Sequence, residues 1–172
     1  MSLRTLVVGL PLIFVIGCTA KEQKATAATA SSKPVVEAYV DAWNRHDSAA
    51  FDSLVAPEGT HEDIALGFIG KGPAGVKQFL NAVLAMEPDF AWKITNVIEQ
   101  GPMVAAQWTW TATYTGPDPM GRPVKNLQIS GRGTAVVEVE NGKIKKLTDY
   151  YDVPSFFPKP DTTKKKTDET SR

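Results

Sequence analysis

The sequence is poor in the residues that build disulfides and metal sites. Its 172 residues include one cysteine and two histidines, and its 19 basic and 19 acidic side chains leave no formal net charge. A single cysteine cannot form an intramolecular disulfide. So few nitrogen and sulfur ligands argue against a metal site. The balanced charge, with no basic stripe interleaved with aromatics, makes nucleic acid an unexpected partner.

A dinucleotide-binding loop is also lacking. Residues 70–75 fit the spacing G-x-G-x-x-G, which in dinucleotide-binding proteins joins a strand to a helix. Here Pro73 removes an N–H that would face the phosphate, and no βαβ pattern surrounds the segment. No cofactor is therefore predicted.

Long apolar runs are scarce, and the one at residues 6–16 is too short to span a bilayer. With Arg4 before it and Val-Ile-Gly-Cys at its end, the stretch 1–17 resembles a lipoprotein signal peptide, and Cys18 its lipidated residue. An ordinary signal peptide with an incidental cysteine is the alternative. The resemblance implies a lipid-anchored protein of the cell envelope. Because Thr19 and not aspartate follows the cysteine, it favours the periplasmic face of the outer membrane in a Gram-negative cell.

Both ends of the remaining chain have compositions that do not favour folding. Residues 18–33 contain almost no large apolar side chain and predict a disordered tether. Residues 158–172 are Lys-rich and predict a solvated tail, with contact to anionic lipid head groups as the alternative. One folded domain is expected between them, at residues 34–157.

The first half of this domain predicts three helices. Val36, Tyr39, Val40 and Trp43 follow the spacing of one helical face. Asp47 is placed to cap a second helix that Pro57 and Gly59 end. A third helix begins at residues 72–73, since proline is favoured at the first helical position.

The second half predicts four long strands, at residues 92–99, 103–114, 126–140 and 143–151. The Asn-Gly pair at residues 141–142 indicates a two-residue hairpin turn. Short connections favour an antiparallel sheet. Helices followed by strands are typical of an α+β fold, here a strongly curved sheet with three N-terminal helices closing a cone-shaped pocket.

The order of several segments resembles a known family. Residues 38–44, 61–72, 87–90 and 142–152 together are similar to the SnoaL-like polyketide cyclases of the nuclear transport factor 2-like superfamily, over residues 35–157. The resemblance implies a conical fold with a deep pocket, and a homodimer through the outer face of the sheet. The scaffold hosts cyclases, isomerases, epoxide hydrolases and members without chemistry, so the resemblance selects no activity.

The last strand offers a candidate acid or base. Val139 faces Ile144 across the hairpin, yet the next large apolar residue is Leu147, three positions on. A β-bulge at residues 145–146 would reconcile this spacing and point Leu147, Asp149 and Tyr151 inward. Burial raises the pKa of a carboxyl toward a useful range. Asp149 is therefore the candidate catalytic base, with a pocket-rim aspartate bonded to a neighbour as the alternative.

His61 is the candidate partner of Asp149, either orienting it or donating to an oxyanion. The predicted ligand is a small, mostly apolar molecule, and cyclisation or isomerisation is the predicted chemistry. A non-catalytic binding or protein-interaction module of the envelope is the rival hypothesis. The predicted pocket walls are Tyr39, Trp43, Phe79, Trp108, Trp110, Tyr114, Leu147 and Tyr151.

Overall fold

The computed structural model describes residues 31–157. Cys18, the predicted signal peptide of residues 1–17 and the Lys-rich tail at 158–172 lie outside the described residues. Most of the predicted tether lies outside them as well. The first described helix begins at Lys33, one residue before the predicted domain boundary.

Three α-helices form, as the sequence predicts. α1 spans Lys33–Asn44 and buries Val36, Tyr39, Val40 and Trp43 on one face, which is the predicted stripe. A 3-10 turn follows, in which the Asp47 carboxylate accepts a hydrogen bond from the Ala50 N–H at 3.2 Å. α2 spans Phe51–Leu54 and α3 spans Gly72–Met86.

Six strands form a single curved sheet in the order β2-β1-β6-β5-β4-β3. The strands are β1 Val55–Asp63, β2 Phe68–Lys71, β3 Ala91–Gln100, β4 Met103–Pro117, β5 Pro123–Glu140 and β6 Lys143–Tyr150. The last four correspond to the four predicted long strands. The α+β fold is confirmed.

The expectation of a purely antiparallel, four-stranded sheet is wrong. β1 lies parallel to β6, so the sheet is mixed. β1 escaped prediction because Pro57 and Gly59 indicate a turn, whereas both lie in a strand whose register shifts between Val55 and Thr60. A Cβ on Gly59 would lie 2.6 Å from the Ile144 carbonyl oxygen, so the two backbones approach too closely for any other residue.

The predicted bulge in the last strand is confirmed. Val139 pairs with Ile144, but Glu138 pairs with Lys146, so Lys145 is the extra residue. After Lys145 the side chains of β6 again point alternately to the two faces of the sheet. Asp149 is 4% exposed, whereas Tyr150 is 49% exposed.

The concave face of the sheet is aromatic, and the helices lie against it. On β4 the alternation is the predicted one, with Trp108, Trp110, Ala112 and Tyr114 buried. Burying a large apolar side chain contributes about 1.5–3 kcal/mol, so this face accounts for much of the core. Within residues 31–157, no helix is long and apolar enough to cross a membrane.

Candidate functional site

A cavity of about 250 Å³ opens between the concave face of the sheet and the helices. All four tryptophans of the chain line it, on α1, β3 and β4. Its aromatic walls are Trp43, Phe79, Phe90, Trp92, Trp108, Trp110, Tyr114, Tyr151, Phe156 and Phe157. A mostly apolar cavity with a few convergent polar groups is the usual form of a small-molecule site.

Asp149 and His61 meet in the wall of this cavity. The parallel pairing of β1 with β6 sets His61 beside Leu147 and Asp63 beside Asp149, so the inward side chains of both strands lie together. His61 Nε2 lies 2.8 Å from Asp149 Oδ2. The Trp108 indole Nε1–H donates to Asp149 Oδ1 at 3.2 Å. Both carboxylate oxygens therefore have a partner, and the side chain is held in one orientation.

Tyr39 extends this arrangement into the core. Its hydroxyl lies 2.8 Å from His61 Nδ1, and burial raises the pKa of Tyr39 far above the ordinary tyrosine value. Tyr39 therefore keeps its proton. With His61 as the neutral Nε2–H tautomer, the Tyr39 hydroxyl donates to Nδ1 and Nε2–H donates to Asp149. The chain of donors runs from Tyr39 through His61 to the carboxylate.

Asp63 is a second buried carboxyl in the wall, and sequence reasoning missed it. It accepts hydrogen bonds from the Tyr151 hydroxyl at 2.6 Å and from the Leu66 N–H at 2.9 Å. Burial raises the pKa of Asp63, and these two bonds offset part of the rise. The signal that could have found it is the period of two between His61 and Asp63, which puts both on one face once the segment is a strand.

Glu87, just after the end of α3, is a third carboxyl that was missed. Burial, and then the charge of Asp89, raises the pKa of Glu87 to about 7. Its position before a proline indicates only the end of a helix, and nothing in the local pattern predicts that it reaches the cavity. A fourth carboxyl, Asp118, lies at the rim and forms an ion pair with Arg122 at 2.6 Å.

Of the predicted pocket walls, six line the cavity: Trp43, Phe79, Trp108, Trp110, Tyr114 and Tyr151. Tyr39 and Leu147 do not. Both are completely buried behind the wall, Tyr39 because its hydroxyl is directed to His61, and Leu147 because it packs in the core cluster. Phe90, Trp92 and Phe156 line the cavity and were not predicted.

Two donors in the wall remain unused. The indole N–H groups of Trp43 and Trp92 are buried and have no acceptor among residues 31–157. An unpaired buried donor costs about 1–3 kcal/mol. Over the same residues, no group of three or more His, Cys, Asp or Glu side chains could hold a metal ion.

Solved structures share this fold. One is a protein with a ketosteroid isomerase-like fold from Catenulispora acidiphila, in complex with trimethylamine (21% identity, 71% of this chain and 88% of that one, TM-score 0.62). Another is a SnoaL-like polyketide cyclase from Agrobacterium tumefaciens (19% identity, 71% and 91%, TM-score 0.60). A third is TerC, co-crystallised with polyporic acid (20% identity, 73% and 94%, TM-score 0.60). At these identities the likeness shows the fold alone.

The sequence itself places the chain more narrowly. A search of curated proteins finds no match. The family model of the SnoaL-like domain matches residues 36–147, which run from α1 into β6 and include His61. Because that match covers more than half of the chain, the protein belongs to the SnoaL-like domain family.

Proposed function

We propose that the domain binds a small, mostly apolar carbonyl compound in its cavity, and that Asp149 takes a proton from the carbon next to the carbonyl. Cyclisation or isomerisation of the ligand would follow. The observation that carries the proposal is the position of Asp149, 4% exposed in an aromatic wall and held by His61 and Trp108. The two hydrogen bonds hold the carboxylate in one position in the cavity wall, where a ligand in the cavity can meet it.

The surrounding groups suit this role. Each oxygen of Asp149 accepts one N–H and keeps a lone pair for an incoming proton. Negative charge developing on the ligand oxygen needs a donor. Tyr39 is not available because its hydroxyl bonds His61. The proposed donors are the unpaired indole N–H groups of Trp43 and Trp92, whose nitrogens are enclosed in the wall and reach the ligand only when the rings turn toward it.

The structural relatives support a small-molecule ligand. The Catenulispora protein was crystallised with trimethylamine and TerC with polyporic acid, so this scaffold holds small organic molecules in at least two cases. The identities are too low to carry either ligand over to this chain.

The test is a reaction that reports a buried carboxylate base on a small aromatic substrate, the ring opening of 5-nitrobenzisoxazole. We expect a rate above that of acetate in water, reduced by about 100-fold or more in Asp149→Asn. Asp152→Asn, which changes an exposed aspartate three residues away, is the matched control. Equal rates for Asp149→Asn and the unmodified protein would remove Asp149 from the chemistry.

The second candidate is a non-catalytic ligand-binding module. It is favoured by the same two hydrogen bonds, because a carboxylate with both oxygens occupied can serve structure alone. In that case the protein binds 5-nitrobenzisoxazole without accelerating its opening. Binding followed by tryptophan fluorescence, beside the rate assay, separates the two candidates.

We also propose that Cys18 anchors the domain to a membrane of the cell envelope. The support is the sequence Val-Ile-Gly-Cys after a short apolar run. Acylation at two or more positions gives durable membrane attachment, whereas one chain is marginal. Cys18→Ser should move the protein from the membrane fraction to the soluble fraction; retention in membranes would exclude a lipid anchor.

A homodimer through the outer face of the sheet is a further proposal from the family resemblance. That face exposes Tyr150 and the threonines at positions 109 and 111. Sedimentation equilibrium of the protein and of Tyr150→Glu measures it. We expect the charge to dissociate the pair, and a monomeric unmodified protein would refute the proposal.

A further inference from the structure

The charged residues around the cavity are almost all of one sign. Among residues 31–157, its lining includes four acids, Asp63, Glu87, Asp118 and Asp149, and no lysine or arginine. His61 is the only basic side chain in this described part of the lining. An anionic ligand would enter an unfavourable field there, and a cation a favourable one.

Three of the four acids already have hydrogen-bond or ion-pair partners. Asp118 is paired with Arg122, Asp149 accepts from His61 and Trp108, and Asp63 accepts from Tyr151 and Leu66. The Glu87 carboxylate, by contrast, makes no side-chain hydrogen bond or ion pair within residues 31–157.

Glu87 is also half-buried, so water does not fully replace the missing partner. Burial disfavours the ionised form of Glu87 and, with the charge of Asp89, raises its pKa to about 7. A positive charge brought next to Glu87 would reverse this effect.

Aromatic rings surround the same end of the cavity. Phe90, whose N–H bonds the Glu87 carbonyl at 3.1 Å, stacks on Trp110 with ring centroids 5.7 Å apart. Tyr114 and Tyr151 line the same cavity as Glu87; burial raises the pKa of both hydroxyls, and the charge of Glu87 adds to the rise. The faces of such rings attract cations, most strongly when water is excluded.

We propose that the natural occupant of this cavity is an amphipathic organic cation, with an apolar body among the tryptophans and a protonated or quaternary amine between Glu87 and the rings of Phe90 and Trp110. The inference rests on the proposed function only in taking this cavity as the binding site. It adds a positive charge to the small, mostly apolar ligand that the catalytic proposal names.

A pair of probes that differ only in charge tests the inference. Benzyltrimethylammonium is a cation, and neopentylbenzene has the same shape with carbon in place of nitrogen. Their dissociation constants are measured with the full chain by tryptophan fluorescence and calorimetry. We expect the cation to bind at least about tenfold more tightly.

Glu87→Gln is the informative variant, because it removes the charge and keeps the shape. It should weaken cation binding by about tenfold and change the neutral probe by less than about twofold. Glu58→Gln, at an exposed acid of β1 outside the cavity lining, is the matched control and should change neither. Far-ultraviolet circular dichroism checks that both variants are folded.

The outcomes separate this inference from the proposed function. Equal or tighter binding of the neutral probe, or an unchanged preference in Glu87→Gln, refutes the cationic ligand and leaves the binding function standing. Failure of both probes to bind refutes both. Loss of the preference in Glu87→Gln alone supports the inference, whatever Asp149 does in the proton-transfer assay.

Discussion

The Nε2 atom of His61 lies 2.8 Å from Asp149 Oδ2, although 88 residues separate the two in the sequence. The contact exists because β1 and β6 run parallel and adjacent, so that both inward faces point into the same cavity. It joins the donor chain from Tyr39 to the one acid that the last strand directs inward. Several measurable consequences depend on this pair and on the walls around it.

Tyr39→Phe should destabilise the protein by about 1–2 kcal/mol, because it leaves His61 Nδ1 buried without its hydrogen-bond donor. Urea unfolding measures the change. Tyr150→Phe removes the same hydroxyl from a side chain that is 49% exposed and should cost less than about 0.5 kcal/mol. Equal costs for the two variants would mean that the Tyr39 bond contributes nothing.

Deletion of Thr148 should unfold the protein or cost about 3 kcal/mol or more. Beyond the bulge at Lys145 the side chains of β6 alternate regularly, so removing one residue there turns Asp149 toward the outer face. Deletion of Lys145 is the matched control, because it removes only the bulge and leaves Ile144, Leu147 and Asp149 on the inward face of a regular strand. Thermal unfolding compares the two deletions, and similar melting temperatures would contradict this assignment of the faces.

Gly133→Ala should destabilise the protein by about 1–3 kcal/mol and move Trp108. A Cβ at this position would lie 2.5 Å from the Trp108 ring and 2.6 Å from the Tyr150 carbonyl oxygen. We expect a changed tryptophan emission spectrum and a lower urea concentration at the midpoint of unfolding. Ser130→Ala, on the exposed face of the same strand, is the control and should leave both unchanged.

Glu87→Gln should stabilise the protein at pH 8 and not at pH 4. The folded state raises the pKa of Glu87 from 4.5 to about 7, so folding favours its protonated form. Stability from this group is therefore fully present below pH 4.5 and is lost as the pH rises through about 7. We expect a gain of about 1–2 kcal/mol for the variant at pH 8, less than the full shift because the side chain is partly exposed.

Urea unfolding at the two pH values measures this gain, with Glu58→Gln as control. The groups that face Glu87 are Asp89, Tyr114 and Tyr151. Asp89 stays ionised, since hydrogen bonds from Thr113 lower its pKa. Neither tyrosine titrates in this range, because their pKa values are raised. A variant that is equally stabilised at both pH values would contradict the assignment to Glu87.

Much of the fold follows from local patterns in the sequence, whereas the site depends on long-range contacts. The helical face of α1, the alternation on β4 and the bulge at Lys145 are all properties of short segments, and all were predictable. β1 was not, because a proline and a glycine in nine residues contradict the usual composition of a strand, and pairing with β2 and β6 stabilises it.

The site residues divide in the same way. Asp149 and the tryptophans were found from alternation within one strand. Asp63 and Glu87 were not found, because what distinguishes them is the absence of water around them, and that arises only when α3, β1 and β6 pack together. Tyr39 was assigned to the wall because the sequence shows which face of the helix it occupies. The sequence does not show how deeply that side chain is buried behind the cavity surface.

The parallel pairing of β1 with β6 also affects the order in which parts of the domain can fold during synthesis. Among the described residues β6 is the last strand to leave the ribosome, and its partner β1 was made before α3 and four intervening strands. Bringing the ends of so long a loop together costs chain entropy, and this cost comes before the contacts between β1 and β6 can offset it. A nascent chain that ends before Asp149 therefore has all four tryptophans but lacks the carboxylate that the proposed function takes as its base, and an early stop in translation should yield a product without the proposed proton-transfer activity.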